Sequence, residues 1–184
     1  MDRVLVERAM DGDHDAFSEL ARVSVGRLLS VARLILHDDA AAEDATQETL
    51  VAAWSHIHGL RDPDRFDPWI HRMLVNACYR EARRHHARRA REVHLHALDV
   101  PEPDSTSRFM DHDQLERGFR RLDVDQRTVL VLYYFVGLNP DEAAAVLGLP
   151  PGTVRSRLHR AMQAMRAALD ADARAAMGAE GRTT

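Results

Sequence analysis

The sequence predicts an all-α protein: two small helical domains joined by a flexible acidic linker, the second domain containing a helix-turn-helix. Three observations predict it. Alanine and leucine, both strong helix formers, dominate a chain of 184 residues that is 45% hydrophobic and only 5% aromatic. Apolar residues recur at helical spacing in several stretches, and long β-branched runs are few. From Glu92 to Asp113 the periodicity gives way to prolines and acids, "EVHLHALDVPEPDSTSRFMDHD", which reads as a linker.

The elements follow in order. From Asp13 to Leu36, residues Phe17, Leu20, Ala21, Leu28, Val31 and Ile35 recur at roughly helical spacing. "HDDAA" interrupts the pattern, and Ala41 to Ile57 forms a second helix. "HGLRDPDRFDP" carries the glycine, prolines and aspartates of a loop. A third helix runs from about Pro68 to Arg91, with proline suited to its first turn. Beyond the linker, shorter helices span about His112 to Arg121, Asp125 to Val136 and Pro140 to Leu147, and another starts at Thr153, a candidate N-cap. Asn139, Pro140 and Glu142 form a start signal: a cap, a proline at the first helical position and a capping-box glutamate. The expected domains are 1–91 and 112–170, with the linker at 92–111 and a tail at 171–184.

Composition excludes several classes. Cys78 is the single cysteine, so neither an internal disulfide nor a multi-cysteine zinc site is available. The charged start "MDRVLVERAMDGD" is no signal peptide, and no apolar run is long enough to cross a bilayer. Cytoplasmic location without membrane insertion is the default expectation. All basic residues are arginine, which an alanine-rich, GC-biased composition explains without appeal to function. The formal net charge is -4, but local basic patches, not the total, govern nucleic-acid contact.

The stretch "PDEAAAVLGLPPGTVRSRLHRAMQAMR" places two helices around a tight glycine-containing turn, the pattern of a helix-turn-helix. Stepping about 100° per residue, Val154, Leu158, Ala161, Met162 and Met165 share one face. Ser156, His159, Arg160 and Gln163 lie opposite, with Arg155 on the flank. The second helix of such a unit enters the major groove and reads base edges with its N-terminal residues. That nominates Thr153, Arg155, Ser156, His159 and Arg160 for duplex DNA. An ordinary amphipathic helix with a solvated arginine face is the plain alternative.

A second basic run, Arg80, Arg83, Arg84, Arg88, Arg89 and Arg91, ends the third helix. Upstream lie Trp69, His71, Arg72, Asn76 and Tyr79. Arginines that track a backbone beside aromatic and amide groups suit single-stranded or unstacked bases, although Trp69 itself is better explained by core packing. Ahead of both basic patches, Asp44, Gln47 and Glu48 stand three to four residues apart on one helix face. Carboxylates repel DNA, so a protein surface is their better target. His94 and His96 alternate as metal ligands can, yet no third ligand lies nearby. No metal, cofactor or catalytic group is expected.

These elements occur together in one family. "LVERAMDGDHDAFSEL", "AEDATQETLVAAW", "DRFDPWIHRMLVNACYREARR" and the final helical segment resemble the successive regions of an extracytoplasmic-function (ECF) sigma factor, over residues 4 to 169. The resemblance implies a non-enzymatic initiation factor whose partners are core RNA polymerase and promoter DNA, often with a separate anti-sigma protein. It implies that Asp44, Gln47 and Glu48 bind the polymerase's coiled-coil clamp. Leu60, His71, Arg72, Asn76, Arg80, Arg83 and Arg84 would serve the minus-ten element, where a flipped base is held. Thr153, Arg155, Ser156, His159 and Arg160 would read the minus-thirty-five element. The linker acids Asp99, Glu102, Asp104, Asp111 and Asp113 would mimic nucleic acid along the polymerase channel. Val23 and Ser24 stand where many relatives carry an aromatic residue. A conventional helix-turn-helix regulator is the competing reading.

Overall fold

The computed structural model describes residues 2–92 and 110–180, and among these every regular element is helical. The helices are α1 (Arg3–Met10), α2 (His14–Leu36), α3 (Asp39–His56), α4 (Phe66–Glu92), α5 (Met110–Arg120), α6 (Val124–Leu130), α7 (Pro140–Leu147) and α8 (Pro151–Glu180). Short 3-10 turns at Ile57–Gly59 and Pro63–Arg65 join α3 to α4, and a π-helical turn, Val131–Phe135, ends α6.

Aspartates start the first helices. Asp13 accepts from the amides of Asp15 and Ala16, each at 3.0 Å, and Asp38 accepts from Ala41 at 2.9 Å; each satisfies amides that the first turn leaves unbonded. The break between α2 and α3 is therefore narrower than "HDDAA" suggested: only His37, left-handed at φ 52°, and Asp38 interrupt the helices. The box at Asn139 forms as expected. Its side chain accepts from Asp141 and Glu142 at 3.0 Å, while Glu142 returns to the Asn139 amide at 2.8 Å. A second box, Asp123 with Gln126, starts α6.

Three local expectations need correction, and one helix was not anticipated. The segment Arg3–Met10 is a helix, capped by Asp2 and packed through Val6 and Ala9. α8 begins at Pro151, so Thr153 lies inside its first turn and is not its N-cap; its amide donates to the carbonyl of Pro150 at 2.9 Å. The stretch to Val136 is not one α-helix, because its last turn widens to π geometry. Beyond residue 170 helix continues to Glu180 where a tail was expected.

α1 to α4 enclose a core of fully buried side chains that includes Leu20, Leu28, Ile35, Ile57, Phe66 and Leu74. The second half does not stand apart from it. Val131, Leu132, Ala143, Ala144, Val146 and Val154 belong to the same apolar cluster, while Leu122, Val129, Leu130, Ala161 and Met165 form a smaller cluster under α5, α6 and α8. α7 packs on α4, and α6 on α2.

Candidate DNA and polymerase interfaces

The helix-turn-helix is built from α7, the turn at Gly148 and α8. Gly148 closes α7 in the left-handed region at φ 65°, where glycine carries no steric cost. Val154, Ala161 and Met165 of α8 are buried and Leu158 and Met162 partly so, as the helical spacing requires. The opposite face presents Arg155, Ser156, His159 and Arg160, all exposed, with Thr153 partly buried at its edge. The side chains are held by local contacts. Arg155 pairs with Asp141 of α7 at 2.8 Å, Ser156 donates to the carbonyl of Thr153 at 2.9 Å, and Gln163 lies 3.0 Å from His159. Arg157, on the same helix, turns the other way and pairs with Asp125 of α6 at 3.1 Å.

The residues nominated on α4 divide. Arg72, Asn76, Arg83 and Arg84 are exposed. Arg84 is paired with Glu81, and Arg80 reaches Glu48 of α3 at 2.9 Å. Leu60 and His71, by contrast, are only 7% and 3% exposed. Leu60 caps the Ile57–Gly59 turn and is buried in the core. His71 donates its Nδ1 proton to the carbonyl of Asp67 at 2.7 Å, because a carbonyl only accepts. Burial lowers its pKa and keeps the ring neutral. A neutral buried imidazole offers nothing to phosphate, so His71 and Leu60 belong to the packing beneath the basic face. Trp69 is partly buried, its ring 5.9 Å from Phe66.

Asp44 and Gln47 are exposed and Glu48 half-exposed on one side of α3, whose opposite side buries Ala42, Ala45, Thr46, Thr49 and Ala53. No arginine lies within α3. Val51, 61% exposed, continues the same face one turn on and escaped the sequence reading. The linker residues His94, His96, Asp99, Glu102 and Asp104 lie outside the described residues, as do the side chains of Arg88, Arg89, Arg91, Asp111 and Asp113. Among the described residues no group of histidine, cysteine and carboxylates could hold a metal, and no helix is long and apolar enough to cross a membrane.

Residues 20–89 match the family model "Sigma-70 region 2", and residues 112–165 match "Sigma-70, region 4". The chain is 31% identical to the RNA polymerase sigma-H factor of Pseudomonas aeruginosa, covering 91% of this chain and 93% of that protein. It is 31% identical to the ECF RNA polymerase sigma factor SigM of Mycobacterium tuberculosis, over 87% of this chain and 80% of that one. The chain belongs to the ECF sigma factors of the sigma-70 family. This sigma factor also shares its fold with a solved complex of CnrH with the cytosolic domain of CnrY. There the TM-score is 0.67 and the identity 32%, covering 93% of this chain and 98% of that one. A complex of the sigma factor RpoE with the anti-sigma factor NepR from Bartonella quintana gives a TM-score of 0.68 at 23% identity, covering 85% of this chain and 98% of that one. As a sigma factor it directs promoter-specific initiation with core RNA polymerase, region 2 serving the minus-ten element and region 4 the minus-thirty-five element.

Proposed function

We propose a residue-level division of that labour. Residues 1–91 act as region 2, and residues 112–170 as region 4. The arginine-free face of α3, with Asp44, Gln47 and Glu48, docks on a basic helical surface of core polymerase. Arg72, Asn76, Arg80, Arg83 and Arg84 of α4 hold the unwound minus-ten strand, the arginines on phosphates and the amide on a base edge. Arg155, Ser156, His159 and Arg160 of α8 read the minus-thirty-five duplex in the major groove, with Thr153 at the margin. The protein works in the cytoplasm as an initiation factor and leaves all bond making to polymerase. An anti-sigma protein, as in the RpoE–NepR complex above, is its expected regulator.

The observation that carries this reading is the segregation of charge. One helix presents acids without arginine, while two others expose arginines beside hydrogen-bonding groups. Run-off transcription on fragmented genomic DNA tests it. Core polymerase alone is expected to be silent, and added sigma factor to yield discrete transcripts. No stimulation on any template would remove the reading, and tight duplex binding without polymerase would favour a conventional regulator.

A further inference from the structure

Asp141 is the second residue of α7, and the start of that helix fixes its backbone. The Asn139 side chain accepts from the amides of Asp141 and Glu142 at 3.0 Å, and Glu142 closes the box on the Asn139 amide at 2.8 Å. The Asp141 side chain turns to α8. Its Oδ1 accepts from Nη2 of Arg155 at 2.8 Å, across the turn of the helix-turn-helix, and the two side chains stay exposed, at 63% and 58%. The next arginines of α8 are held differently. Arg157 is tied to α6 through Asp125 at 3.1 Å, and Arg160 to its own helix through the carbonyl of Ser156 at 3.3 Å. Arg155 is tied to the other helix of the reading unit.

An exposed carboxylate is out of place beside DNA. The first helix of such a unit crosses the phosphate backbone, and a helix N-terminus there favours phosphate. Asp141 and Glu142 give the first turn of α7 the opposite charge. Pairing with Arg155 turns one of these acids into an anchor. A guanidinium carries five N–H donors, and the ion pair occupies only one nitrogen of the fork. Two donors remain for the O6 and N7 acceptors of a guanine. Because Asp141 already holds the side chain, Arg155 loses less freedom when it binds. An arginine without this partner settles on the nearest phosphate, which carries no sequence information.

We propose that Asp141 is a positioning residue for promoter reading: its carboxylate holds the Arg155 guanidinium toward a guanine of the minus-thirty-five element and away from the phosphates. The inference rests on the proposed role of Arg155 and adds a residue of α7, outside the reading helix, to what sets specificity. An exposed ion pair contributes little to stability, so removing Asp141 acts on selection and leaves the fold intact.

Holoenzyme assembled from core polymerase and the full chain tests it, by initiation from promoters that carry every single-base change in the upstream element. The wild type is expected to prefer guanine at one base pair, and Arg155→Lys to lose that preference, since an ammonium lacks the planar fork. Asp141→Ala is expected to weaken the preference at the same base pair by about fivefold or more, with the ranking elsewhere unchanged. Binding of the free chain to random duplex should meanwhile tighten by about two- to threefold, with a salt dependence steeper by about one counterion, as Arg155 moves to a phosphate. Asp141→Asn keeps an oxygen for the Nη2 donor and is expected to recover most of the preference. Unchanged ranking in Asp141→Ala, or a uniform loss on every promoter, overturns the proposal. So does an equal loss with asparagine, which would assign the effect to charge alone. A change at a base pair that Arg155→Lys leaves untouched would make Asp141 itself a base contact, and also overturns it. If Arg155→Lys alters no base pair, the proposed role of Arg155 falls and takes this inference with it.

Discussion

Arg80 of α4 and Glu48 of α3 hold each other at 2.9 Å, so one ion pair joins the face proposed for DNA to the face proposed for polymerase. Both side chains remain about two-fifths exposed, at 41% and 38%, and an exposed pair contributes only ~0.2–1 kcal/mol. A double-mutant cycle with Arg80→Ala and Glu48→Ala, read by urea melts, is expected to give a coupling of about 0.5 kcal/mol that fades with added salt. A coupling that persists at high salt would place the pair in a drier setting than its exposure indicates.

Asp44 is exposed on the same side of α3 as Glu48. Reversing both charges, Asp44→Arg with Glu48→Arg, should abolish binding to core polymerase in a pull-down while the circular dichroism stays helical. Retained binding would make the acidic face an ordinary solvated one.

Arg160 is exposed on the reading face of α8, its Nε 3.3 Å from the carbonyl of Ser156. Arg160→Ala is expected to cost about 1–3 kcal/mol at one upstream base pair and to relax the preference there. The measurement is initiation from a set of single-base promoter variants. An equal loss on all of them would show a phosphate contact instead.

His37 supplies a pH prediction. Burial, followed by the positive charges of Arg127 and Arg120, lowers its pKa from 6.5 to about 4. The unfolded chain therefore takes up the proton first. Stability is full above about pH 6.5 and falls as pH drops toward 4, by at most ~1.4 kcal/mol per unit for one proton. His71, lowered by its own burial, acts in the same direction. His37→Asn tolerates the left-handed backbone and does not titrate. Urea melts between pH 4.5 and 7.5 should show a shallower acid loss for this variant, and an unchanged slope would contradict the assignment.

Gly118 on α5 leaves room for α8: a Cβ there would lie 2.9 Å from both Sδ and Cε of Met165. The thioether can swing aside for one methyl group but not for a branched side chain. Gly118→Val should lower stability by about 1–3 kcal/mol, seen as an earlier thermal transition, with Gly118→Ala much closer to wild type.

What the sequence revealed was what neighbouring residues decide among themselves. The box of Asn139 and Glu142 and the buried stripe Val154–Ala161–Met165 depend on residues a few positions apart, and both formed as expected. The box of Asp123 and Gln126 was equally legible, as an aspartate followed three residues on by glutamine. α1 escaped because eight residues, three of them charged, are too few to show a periodicity; Val6 and Ala9 become core positions only once α2 is beside them. The burial of Leu60 and His71 was not legible for the same reason, since burial is conferred by elements that close over a residue. The docking of the halves was least legible of all, because Arg127 meets Ile35 across 92 residues of chain.

Cys78 lies fully buried in α4, and burial pushes its thiol up to about 12. Thiolate is the form that attacks peroxides and disulfides, and burial keeps this thiol protonated at neutral pH. Oxidative stress therefore finds no direct chemical handle on this transcription factor through its own sulfhydryl. An oxidant signal sensed by another molecule would reach it through a binding surface instead.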